Sequence, residues 1–283
     1  MPGQPSDLIG RRLGGRFLID RCRGQLPQGW LFDAKDEADG RSVGVRLLSG
    51  VPAPGPYFER EARRIRALHP DLVARVYGAF RLPDGTAGLV TEPMLGVSLA
   101  ERLGEGPLSL PSAVALIDAL IQALIACHMM GVVHRDLRPE NIWLASQPGA
   151  MGKVVLHGAG VADLVGAKRG AQGAFIFGDP RYMAPEQWVD RAVDGRADMY
   201  GVAMLGYLSL MGQPLVDGDD AMAVCEAHFA TPRPTALSAL GGDVVPDSLL
   251  AALAKAAAPD RAERFPSLEV FQSALTSARF SLT

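Results

Sequence analysis

The densest group of chemistry-bearing side chains in this 283-residue sequence is the stretch HRDLRPEN, His134 to Asn141. A carboxylate, Asp136, stands before a carboxamide, Asn141, with Leu137, Arg138, Pro139 and Glu140 between them. A carboxylate accepts hydrogen bonds, and a carboxamide both donates and accepts them. Neither completes a reaction alone, so their partners have to come from elsewhere in the chain. Cys22, Cys127 and Cys225 are isolated, with no CxxC pair and no histidine at zinc spacing, and are read as reduced thiols. Glu61 is a further candidate. It falls on the apolar face of a helical stretch between Phe58 and Ile65, and a carboxylate facing a core needs a partner.

The elements that must position these residues change in character along the chain. Hydrophobic residues make up 48% and charged residues 21%, and the net charge is -3, which argues against disorder and against an electrostatic grip on nucleic acid. The apolar run AVALIDALIQALIACHMMGVV is broken by Asp118, Gln122 and His128 and suits a buried helix rather than a membrane span. The N-terminus has no basic start followed by an apolar stretch, so a cytoplasmic chain is expected. Residues 1–15, rich in Gly, Pro and Arg, are expected to form a loose lead-in. RFLIDRC, WLFDAKD, SVGVRLL, ARVYGAF and AGLVTEP are short β-type runs, with the helix PYFEREARRIRALHP between them. Beyond LSLPSAVALIDAL, with Ser109 as N-cap and Pro111 in the first turn, the chain is mainly helical. Strands return at NIWL and KVVLHG. A small β-rich lobe followed by a larger helical one is the order this implies.

Several motifs now fall into one pattern. HRDLRPEN is followed by GDPRYMAPEQ, then ADMY, then DRAERF. From about Arg16 to about Leu275 the chain resembles a bacterial, eukaryotic-like serine/threonine protein kinase domain. The resemblance implies an α+β, bilobal protein-kinase-like fold, with a small lobe at 16–92 and a large lobe at 93–280. It implies that Asp136 orients a substrate hydroxyl and that Asn141 serves the metal. Asp198 then braces the catalytic-loop backbone, Glu186 pairs with Arg264, and Glu61 takes the position of the helix glutamate. Thr91 becomes the gatekeeper and Glu92 to Met94 the hinge beside an adenine pocket.

Set against that pattern, the nucleotide machinery departs in four places. VGVR puts Arg46 where the family has the nucleotide-positioning lysine, and a planar guanidinium is not a conservative substitute at a tight phosphate site. GQLPQG, Gly24 to Gly29, carries Leu26 at the middle glycine and beside it Pro27, which has no amide hydrogen to offer a phosphate. Gly158, Ala159 and Gly160 replace Asp-Phe-Gly, so the aspartate that anchors magnesium is missing. Arg138 stands in for the lysine that steadies the transferred phosphoryl group.

The expected function is therefore a catalytically impaired pseudokinase acting as a regulatory or binding module, and the alternative is an active but atypical serine/threonine kinase. Nucleotide binding is expected to be weak and magnesium-independent, with no tightly bound magnesium. An active kinase or its substrate is the expected partner. Arg46 is expected to pair with Glu61. From Val161 through Pro180 there is no Ser, Thr or Tyr, so phosphorylation within that stretch cannot be the ordering switch. Asp179 is read in two ways, as a latch onto Arg138 across the catalytic loop or as a solvent-facing turn residue before Pro180.

Overall fold

The computed structural model describes residues 4–26, 29–48, 60, 63–67, 72–147, 150–164, 178–188, 193–230 and 245–280. The first lobe is an antiparallel sheet of β1 Arg12–Leu13, β2 Phe17–Leu26, β3 Gly29–Asp36, β4 Ser42–Leu48, β5 Val76–Arg81 and β6 Ala87–Thr91. Their spatial order is β1-β2-β3-β4-β6-β5. β4 lies between β3 and β6 and is buried from Val43 to Leu48, as expected of an apolar run covered on both faces. Arg46 is the one charged residue in that run, so the fold commits its guanidinium to the interior. At the mouth of the β2–β3 hairpin, Gly29 pairs with Leu48, and a Cβ there would lie 1.9 Å from the Leu47 carbonyl oxygen. Only glycine lets the two strands lie this close.

The lead-in differs from its expectation. Pro5–Leu8 forms a 3-10 turn, β1 pairs with β2, and Leu8 and Leu13 are buried in the same small core as Ile19, Phe32 and Val45. Burial of these two apolar side chains ties the segment down, despite its glycines and arginines.

The second lobe is built on two long helices, Leu110–Met129 and Arg196–Met211, with Asp247–Ala256 and Leu268–Phe280 packed beside them. Arg196–Met211 is buried from Ala197 to Leu210, the condition of a helix that is apolar on every side. It ends at Gly212, which has a left-handed φ of 76°. Leu110–Met129 has the length and apolarity of a membrane span, yet Leu116, Ile117, Leu120, Ile121 and Leu124 pack into the large core. Ser109 stands at its N-cap position with Pro111 in the first turn, but the Ser109 hydroxyl bonds Ser112 rather than capping a backbone N–H. A second sheet, β7 Val97–Ser98, β8 Ile142–Gln147 and β9 Ala150–Leu156, lies against the junction of the lobes and carries Asn141 at its edge.

Candidate active site

The loop 134–141 is braced by the helix Arg196–Met211. Asp198, at the start of the helix Arg196–Met211, accepts hydrogen bonds from the backbone N–H groups of His134 and Arg135, both at 2.8 Å. The His128 ring meets the same carboxylate at 2.7 Å. Burial would push the Asp198 carboxyl up, but the His128 contact and the loop amides hold it below the usual carboxylate range. His134 bridges onward, with Nε2 3.0 Å from the His157 carbonyl and Nδ1 accepting from the Asp136 N–H. Both buried rings stay neutral. Burial lowers His134, and burial together with the nearby Arg46 brings His157 down to about 3. His157 directly follows β9 with its ring buried.

On this platform Asp136 and Asn141 come together. Asn141 Nδ2 donates to the Asp136 carbonyl and to Asp136 Oδ2, both at 2.8 Å. Asn141 Oδ1 accepts from Arg46 Nη2 at 2.5 Å, and Arg46 Nη1 stands 3.9 Å from Asp136 Oδ2. The guanidinium therefore reaches across from β4 into the second lobe. Burial drives it down to about 10, against the pull of the Asp136 carboxylate. Gly158 has a φ of +91°, and a Cβ there would sit 3.2 Å from Arg46 Nη2. The space beside the backbone of residue 158 is occupied by the arginine from residue 46. Glu61, the expected partner of Arg46, lies outside the described residues.

Arg138 donates through Nε to Glu140 at 2.9 Å. Its Nη1 and Asp136 Oδ1 are buried without a hydrogen-bond partner among the described residues. Asp179 is 8% exposed, accepts from the Arg181 backbone N–H, and forms a two-point ion pair with the Arg181 side chain at 2.7 and 3.0 Å. Both expectations for Asp179 are corrected. It is neither latched to Arg138 nor turned to solvent, because the N-cap of the 3-10 turn Pro180–Tyr182 brings it against its own neighbour. Glu186 and Arg264 pair as expected, through two bonds at 2.7 and 2.8 Å, with both side chains buried.

Around the hinge, Thr91 Oγ1 donates to the Glu92 carbonyl at 3.0 Å, the Glu92 N–H bonds the Arg75 carbonyl, and Met94 is buried. Gly24 pairs with Leu31, and Leu26 is buried opposite Gly29, while Pro27 and Gln28 lie outside the described residues. The sequence reading missed Arg23 and Trp143, whose indole fills the space under the hairpin. A tryptophan in the middle of NIWL was the signal available for it.

A model of the protein kinase domain matches residues 42–272. The chain belongs to the protein kinase family. Its two lobes are those of the kinase fold, α+β with a strand-rich first lobe and a helical second one. This kinase domain is 30% identical over 96% of its length to serine/threonine-protein kinase Pkn1 of Myxococcus xanthus. It is 32% identical over 81% of its length to serine/threonine-protein kinase PknA of Mycobacterium tuberculosis. The chain spans 39% of the length of Pkn1 and 54% of that of PknA.

Proposed function

We propose that this kinase domain is a pseudokinase, retained as a regulatory or binding module. The observation that carries the reading is the Arg46 guanidinium on Asn141 Oδ1, in the space beside Gly158. Magnesium in this family calls for hard oxygen ligands. Here one ligand position is a glycine, and the oxygen of the other is spent on a cation. A divalent ion placed there would meet a buried positive charge at close range. The residues present do not fit magnesium.

What remains is a positioning device without its phosphate machinery. Asp136 is braced through its backbone, and its carboxylate is held by Asn141 on one oxygen. An active but atypical serine/threonine kinase is the second reading. It is favoured by the names of the relatives and by the unpartnered Asp136 Oδ1 and Arg138 Nη1, which suit a substrate hydroxyl and a phosphate oxygen. Any nucleotide binding on the first reading is weak and indifferent to magnesium. Its partner is another protein, an active kinase or that kinase's substrate, in the cytoplasm.

The test is transfer of labelled γ-phosphate to the protein itself and to a generic protein acceptor, with magnesium and then with manganese. The pseudokinase reading predicts no transfer above that of Asp136→Ala. Transfer by the parent that disappears in Asp136→Ala establishes the second reading.

A further inference from the structure

Among the described residues, side chains from both lobes meet in the cleft between them. Trp143, on β8 of the helical lobe, packs with Leu26 of β2, Leu31 of β3 and Met94 after β6 in a small buried cluster separate from the main core of either lobe. These four residues come from both lobes and from the segment that joins them. Above the indole lies Arg23, whose Cζ is 4.5 Å from the ring centroid. Arg23 Nη2 donates to the Gly96 carbonyl at 3.0 Å, and Nη1 is 3.7 Å from Asp33, so the stacked guanidinium is held on two further sides. The indole's own N–H is satisfied by the Glu140 carbonyl at 3.2 Å. Beside Thr91, Leu31, Val45 and Met94 the described residues leave a cavity of about 10 Å³. That is room for roughly one water molecule.

A flat heteroaromatic ring entering beside the hinge would have to lie against Leu31 and Met94, the surfaces Trp143 covers. We propose that Trp143, clamped beneath Arg23, occupies the place of a nucleotide base, so that the lobes are held closed without nucleotide. Together with Arg46 in the metal's place, the cleft carries an internal substitute for each half of the nucleotide–metal pair. Stacking of a guanidinium on an indole is among the stronger cation–π contacts, and here it is largely shielded from water. The inference rests on reading the cleft as a nucleotide site, but it concerns binding and not turnover.

The experiment is titration of the full chain with a fluorescent ATP analogue, comparing the parent with Trp143→Leu and Arg23→Ala, each checked for a cooperative melt. Arg23 keeps 13% of its side chain exposed and tolerates truncation better than the buried indole, so it serves if Trp143→Leu does not fold. The expected result is an affinity at least tenfold higher in a folded variant than in the parent. Parent binding as tight as that of the folded variants overturns the proposal, and so does a folded variant that gains nothing. Phosphate transfer by the parent bears instead on the pseudokinase reading, so the two can fail separately.

Discussion

A guanidinium at position 46 does what an ammonium cannot. Its planar fork places Nη2 on the Asn141 oxygen while Nη1 faces Asp136, spanning two groups on the opposite lobe. Cutting it back to a methyl group leaves the Asn141 oxygen and the Asp136 carboxylate without that cation. Arg46→Ala should therefore lower stability by about 1–3 kcal/mol, read as a lower urea midpoint at unchanged slope. An unchanged midpoint would mean that the bridge does not form in solution. Arg264 is more deeply committed, since it binds Glu186 twice and also donates to the carbonyls of Ala258, Pro259 and Arg196. Arg264→Ala strands a buried carboxylate and should cost about 3–5 kcal/mol by the same denaturation, with a loss under about 1 kcal/mol counting against it. The Glu186–Arg264 pair was legible in the sequence because both residues sit in motifs of fixed order. The partner of Asp179 was not, because the choice between Arg138 and Arg181 depends on the turn geometry at Pro180, which residue types alone do not fix.

Two core helices and the catalytic loop meet at one ionisable pair. His128 ends the helix Leu110–Met129, Asp198 begins Arg196–Met211, and the loop amides of His134 and Arg135 share the carboxylate. Gly195 makes the approach feasible, since a Cβ there would lie 2.5 Å from the His128 ring. Burial lowers the His128 pKa, but the Asp198 hydrogen bond and charge outweigh it, so the net shift is upward. A group raised in the folded state contributes fully below its unfolded value of about 6.5, and the contribution is lost as pH climbs through the higher folded value. The parent should accordingly lose melting temperature from about pH 6 upward by a component that His128→Gln lacks. Identical pH slopes in the two proteins would contradict the shift. At this scale the sequence was a good guide, because strands and helices follow local apolar periodicity. It failed for residues 5–13, where Leu8 and Leu13 find a sheet face that only the assembled lobe provides. It was silent on the Ser98–Glu101 capping box that starts the helix Leu99–Leu103.

For the molecule as a whole, side chains from the two lobes meet in the cleft between them. Arg46 crosses from the sheet to Asn141, and Arg23 and Leu31 come down on Trp143. The sequence announced the missing aspartate at Gly158 and the arginine at 46 as separate departures. That Arg46 lies against Gly158 in space could not be read from it, because residues 46 and 158 are brought together only by the docking of the lobes. On the reading proposed above, Arg46 fills the position that the family gives to the metal. Calorimetric titration of ATP into the parent protein, with and without magnesium, tests that claim most directly. With Arg46 in that position the affinity is equally weak or undetectable in both buffers, and a gain of about tenfold or more on adding magnesium, some 1.4 kcal/mol, would rule it out.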